Sequence, residues 1–135
     1  MRARAASAGA GVLVAFEGAT TQTKAFRTEA LKAFRRDLKG LGPSYASFEV
    51  SIWIEGYRRG RRLDADNVAK ACLDALVGLL WRDDRQVTRL LVEKLTGGGE
   101  RIVLLARPTE LAERAAALDE ALAAAGMAPP PGVVP

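Results

Sequence analysis

The chain has 135 residues, 49% hydrophobic and 27% charged, with a formal net charge of +4 and a pI near 9.6. That length suits one domain with a buried core, and the positive balance favours polyanionic partners. There is no histidine and a single cysteine, Cys72, which excludes Ser-His and Cys-His triads, closed Cys/His zinc sites and an internal disulfide, and leaves carboxylates to bind hard, oxygen-seeking ions.

In chain order, Arg2 and Arg4 precede an apolar run at residues 12–16 that is too short for a signal core or a membrane span. No membrane association is expected, and a reducing, cytoplasmic setting is the default. Residues 11–17 read as a first strand ending at Gly18. From about 22 to 40, Phe26, Ala30, Phe34, Leu38 and Leu41 recur at helical spacing while Lys24, Arg27, Lys32, Arg35, Arg36 and Lys39 take the other faces. This predicts an amphipathic helix with a basic exterior, stopped by Gly40 and Gly42-Pro43. Residues 46–55 alternate, with Phe48, Val50, Ile52 and Ile54 on one side, and predict a strand.

A loop at 56–62 carries Arg58, Arg59, Arg61 and Arg62, after which Leu63-Asp64-Ala65-Asp66-Asn67 opens a helix to about Leu80. Asp66 or Asn67 is placed to cap its free amides. This helix is apolar on more than one face, which predicts burial on two sides, in the core or against another subunit. Strands at about 86–95 and 101–107 are joined through Gly97-Gly98-Gly99 and read as a hairpin. An Ala-rich helix at about 109–126 starts after Pro108-Thr109, and residues 128–135, with four prolines, read as a disordered tail. The expected fold is a mixed α/β (α+β) single domain over 1–127, core about 11–107, in the order strand, helix, strand, helix, strand, strand, helix.

The chemistry concentrates around the middle helix. Asp64 and Asp66 lie two apart and can share a face of an extended turn, and Lys70 follows Asp66 by one helical turn. Asp83 and Asp84 come just after that helix. Convergence of three such carboxylates beside a lysine would make a site for a divalent cation acting on phosphate, but the chain would have to fold back to bring the second acidic pair home. Taken singly, these residues have plainer readings: Asp-x-Asp-Asn as a turn or cap, Lys70 as the i+4 ion-pair partner of Asp74, and the four arginines as a solvated run. Cys72 reads as a buried core residue, and Trp53 and Trp81 as packing residues.

The composite string is more specific. Arg62-Leu63-Asp64-Ala65-Asp66-Asn67-Val68-Ala69-Lys70, then Asp74-Ala75-Leu76, then Trp81-Arg82-Asp83-Asp84-Arg85-Gln86-Val87 closely resembles the RusA-type Holliday-junction resolvases. The resemblance implies metal-binding carboxylates at Asp64, Asp66 and Asp84, the last being the aspartate two before Gln86, and a catalytic lysine at Lys70. It also implies a Mg2+-dependent endonuclease, with Mn2+ as a substitute ion, that acts as a homodimer on four-way junction DNA in recombination and repair. Arg58, Arg59, Arg61 and Arg62 would grip the DNA. Residues 17–22 lack the Pro- and Asn-rich loop usual after the first strand of that family, and the Ala-rich helix and tail extend beyond its usual core. Two other functions compete with this one: a metal-dependent nuclease for other branched DNA or RNA, and a non-catalytic basic module that only binds nucleic acid.

Overall fold

The computed structural model describes residues 1–18, 23–39, 41–58, 63–111 and 115–127. Five strands form one sheet: β1 (Arg2–Ala8), β2 (Gly11–Glu17), β3 (Ser47–Ile54), β4 (Val87–Lys94) and β5 (Arg101–Thr109), in the spatial order β1-β2-β5-β3-β4. Three helices accompany it: α1 (Thr23–Asp37), α2 (Ala65–Ala75) and α3 (Ala116–Ala124), and a short 3-10 turn covers Asp84–Gln86. The mixed α+β character and the expected order of elements hold, with differences at particular places. Among the described residues no helix is long and apolar enough to cross a membrane.

The first difference is β1, a strand that the sequence pattern does not announce. Its inward residues, Ala3 and Ala5, are small and carry no strong strand preference, yet both are buried opposite Phe16 and Val14 of β2. As an edge strand β1 has backbone groups to satisfy, and the end of α1 satisfies two of them. The Ala5 amide donates to Asp37 Oδ2 at 3.0 Å, and Arg36 Nη2 donates to the Ala3 carbonyl at 2.7 Å.

The second is the expected hairpin. β4 and β5 are not neighbours: β5 lies antiparallel between β2 and β3, while β4 pairs in parallel with the far side of β3. Leu95 donates to Ile54, Gly56 to Gly97 and Glu55 to Arg101, so the triglycine segment carries the chain past the end of β3. Composition explains the placement. β5 carries apolar residues on both faces and suits a central position, whereas β4 exposes Thr88, Arg89, Glu93 and Lys94 and suits an edge.

α2 is also shorter than its apolar pattern suggested. It stops at Ala75, and Gly78, at φ +84°, turns the chain so that its amide donates to the Trp81 carbonyl at 2.7 Å. Leu76, Leu80 and Trp81 are buried, although they belong to this turn and not to a helix. The last helix begins at Ala116, and Pro108 and Thr109 instead continue β5 opposite Phe48 and Ser47. The tail at 128–135 lies outside the described residues.

α1 and α2 cover one face of the sheet. Val14, Phe16, Val50, Ile52, Ile54, Ile102 and Leu104 point into that layer, where Phe16 meets Phe26 with ring centroids 4.9 Å apart and Phe48 meets Trp81 at 5.5 Å. Cys72 and Trp81 are fully buried there, as read from the sequence, and the Trp81 indole donates to the Leu73 carbonyl at 3.2 Å. On the opposite face the register lines up Leu13, Leu105, Ser51 and Leu91 in one row and Ala15, Val103 and Trp53 in the next. Cross-strand charge borders this band: Arg2, Glu17 and Arg101 at one end, and Arg107, Glu49 and Arg89 at the other.

Candidate active site

The unit β3-α2-β4 is a parallel crossover, and it sets where the acidic residues fall. Asp64 occupies the N-cap position of α2, in extended conformation at φ −79° and ψ 132°. The expected cap at Asp66 or Asn67 is therefore displaced by two or three residues, and the Asp64 carboxylate makes no cap hydrogen bond. Instead the Asn67 side-chain amide donates to Asp64 Oδ2 at 3.3 Å, while the Asp64 carbonyl accepts from the Val68 amide at 3.0 Å. The neighbours Leu63, Val68 and Ala69 are buried and anchor this turn to the core.

Asp66 and Lys70 are both exposed, one turn apart on the outward side of α2, while Val68, Ala69, Ala71, Cys72 and Ala75 face inward. An acidic residue in the first turn suits the positive end of the helix dipole. Lys70 forms no ion pair with Asp74 among the described residues, contrary to the plainer reading of that lysine. Asp66 likewise pairs with no described cation.

The second acidic pair divides its roles. Asp83 caps the 3-10 turn: its Oδ1 accepts from the Arg85 amide at 2.8 Å, and its Oδ2 pairs with Arg85 Nη2 at 2.9 Å. The hydrogen bonds and charge of Arg85 pull the Asp83 carboxyl down to about 2, well below the usual carboxylate range. Asp84, the first residue of the turn, is exposed.

Gln86 holds the segment in place, a role that the sequence reading did not assign to it. Its Oε1 accepts from the amides of Arg82 at 2.9 Å and Asp83 at 3.1 Å, and its Nε2 donates to the carbonyls of Ser44 at 2.7 Å and Ala46 at 2.8 Å. One side chain thus ties the stretch that carries Asp84 to the stretch that leads into β3. The available signal was indirect: a glutamine three residues after an aspartate is the capping-box spacing.

Asp84 stands three residues before β4, at the edge where β3 begins, whereas Asp64 comes ten residues after β3 ends. The two are joined through α2 and the turn that follows it, residues 65–83, all of them described. Among the described residues no three acidic side chains are grouped so as to hold a metal ion. The donor chemistry suits a hard divalent cation, with oxygen ligands at Asp64, Asp66 and Asp84, but the single chain does not close those three around one point. Of the expected DNA contacts, Arg58 is exposed and pairs with Glu100 at 3.5 Å; Arg59, Arg61 and Arg62 lie outside the described residues.

Residues 16–105 match the sequence profile of the family described as endodeoxyribonuclease RusA. The match covers two thirds of the chain. This chain belongs to the RusA endodeoxyribonuclease family. Members are nucleases that act on DNA and depend on a divalent metal, and the matched span contains each acidic residue of the site, Lys70 and Gln86. No curated protein matches the sequence. Among solved structures, CetZ from Methanosaeta thermophila strain DSM 6194 aligns with a TM-score of 0.37 and 19% identity, over 86% of this chain and 29% of its own length. The chain thus spans less than a third of that protein.

Proposed function

We propose that this RusA-family chain is a Mg2+-dependent, structure-selective endodeoxyribonuclease that resolves Holliday junctions during DNA recombination and repair in the cytoplasm. The observation that carries the reading is the family match, which spans the whole motif from Asp64 to Gln86. Asp64, Asp66 and Asp84 are the carboxylates assigned to Mg2+, for which Mn2+ can substitute. When bound, the ion supplies Lewis acidity toward the phosphodiester and lowers the pKa of a water ligand. Lys70, exposed one turn beyond Asp66, offsets charge that builds on the phosphate oxygens. Arg58, Arg59, Arg61 and Arg62 contact the backbone of the four-way junction. The commitment of Asp83 to Arg85 supports Asp84 as the third ligand.

A homodimer completes the reading. Two symmetric cuts across a two-fold symmetric junction call for two copies of one site, which a C2 dimer provides. The apolar band on the sheet face opposite α1 and α2, framed by charge, supports association between subunits.

The test presents four-way junctions, flaps, duplexes and RNA side by side, with Mg2+ and with chelator. Junctions should be nicked in pairs, only with metal, and Asp66→Asn should reduce the rate by about 100-fold or more, as expected for loss of a group acting in the transition state. Equal cutting of every substrate removes junction selectivity. Cleavage that survives Asp66→Asn moves the site elsewhere, and a pure wild-type protein that binds but never cuts is the non-catalytic module.

A further inference from the structure

α3 lies outside the span matched by the family, so the family assigns it no role. It buries none of its residues, and Leu118 and Leu122 stand four apart on one side of it beside Asp119 and Glu120. A nine-residue helix is below the length that sustains itself in water, so packing must stabilise it. The body of the protein offers a matching surface. Two adjoining depressions of about 230 and 390 Å3 run along α1 and the turn after α2, and they share Leu31 and Leu79. Leu31, Leu79 and the half-exposed Leu41 form an apolar floor, with Arg27, Arg35 and Lys39 along its margin. Those three cations form no ion pair among the described residues.

Phosphate has no use for a leucine floor, whereas an acidic helix with an apolar side fits both the floor and the rim. We propose that α3 of one copy seats in this groove of a second copy, with Leu118 and Leu122 on the floor and its acidic residues toward the cationic rim. The inference rests on the homodimer proposed above and assigns one contact within it. In its own chain α3 stays unburied. Reciprocal exchange between two copies satisfies both helices and both grooves at once.

The test uses the full chain. Leu41→Cys with an affinity tag is co-expressed with untagged Leu118→Cys and oxidised mildly. Cys72 stays silent because burial pushes its thiol up to about 12. A disulfide between tagged and untagged chains is expected. Its absence, or a link confined to one chain when both substitutions are placed together, overturns the proposal. Arg35→Glu with Lys39→Glu should lower the yield of linked dimer by about tenfold, and Asp119→Lys with Glu120→Lys should restore it. An unchanged yield accompanied by weaker junction binding would make the rim a DNA surface and also overturn the proposal. Thermal melts that match the parent protein exclude misfolding as the cause. Nicking is followed in parallel: linked chains that never cut refute the nuclease reading alone, and cutting without a link refutes the α3 contact alone.

Discussion

Gln86→Ala isolates the fastening of the segment that carries Asp84. It deletes four hydrogen bonds of 2.7–3.1 Å, two accepted from Arg82 and Asp83 and two donated to Ser44 and Ala46. A net value of about 1 kcal/mol per bond gives about 4 kcal/mol as an upper figure. Gln86 is only half-buried, so water recovers part of the loss and about 2–3 kcal/mol remains. For a domain of this size that corresponds to a fall in Tm of about 6–10 °C. Gln86→Glu sharpens the test. It keeps the acceptor toward Arg82 and Asp83 but turns a carboxylate oxygen toward the Ser44 and Ala46 carbonyls. That arrangement favours the protonated acid and raises its folded pKa above the unfolded value, so the variant should gain stability relative to wild type as the pH falls through that range. Differential scanning calorimetry across pH reads both effects. A Tm for Gln86→Ala within about 2 °C of wild type would refute the claim that this side chain holds the segment.

Asp83 should matter to stability and Asp84 to metal. Because Arg85 holds the folded Asp83 carboxyl at about 2 against 3.8 unperturbed, its contribution is present above about pH 4 and is lost as the pH falls toward 2. In acid titrations followed by circular dichroism, Asp83→Asn should remove this component of the wild-type stability loss, and an unchanged profile would contradict the ion pair. Asp84→Asn should leave the melting temperature measured with chelator close to wild type while weakening Mg2+ binding by calorimetric titration. Gly78→Ala places a side chain at φ +84° and should cost about 1–2 kcal/mol, read as a lower urea midpoint; an unshifted midpoint would mean that the turn relaxes freely. Arg58→Ala together with Arg61→Ala should flatten the salt dependence of junction binding, by about 1 in slope for each phosphate no longer neutralised, and an unchanged slope would place the DNA surface elsewhere.

Where periodicity had a single physical origin, the sequence reported it faithfully. β3 alternates because one face meets the helices, and α1 repeats at helical spacing because Phe26, Ala30, Ala33 and Phe34 are covered while the charged residues are not. Elsewhere two causes leave the same trace. Leu76, Leu80 and Trp81 are apolar because they are buried, and burial in a turn looks the same in sequence as burial on a helix. The one interruption, Gly78, is the point where the chain turns. β1 was hidden for the opposite reason, since alanine packs against α1 without advertising a strand. The triglycine segment marks a change of direction without naming which strand comes next to which, so a hairpin and a passage across the end of β3 read alike.

The acidic motif shows the same limit at the level of single side chains. Asp83 and Asp84 are adjacent and chemically identical, and nothing in composition ranks them. What separates them is the 3-10 turn, which places Asp83 at its cap, where Arg85 and Gln86 complete a reciprocal set of bonds, and leaves Asp84 exposed on its first residue. The Gln86 side chain that completes the cap also donates to the Ser44 and Ala46 carbonyls, which lead into β3 beside β4. The third carboxylate of the proposed metal set is therefore oriented by tertiary structure from one side, through Gln86. Asp64 and Asp66 are oriented from the other side by the buried anchor Leu63 and the first turn of α2. Two independently fastened half-sites that are not grouped in the single chain give a concrete expectation for the ion. If Mg2+ bridges them, it must stabilise the folded chain, and removing it must lower the melting temperature of the wild type but not that of Asp84→Asn. Equal sensitivity of the two proteins to chelator would mean that the half-sites never meet on one metal.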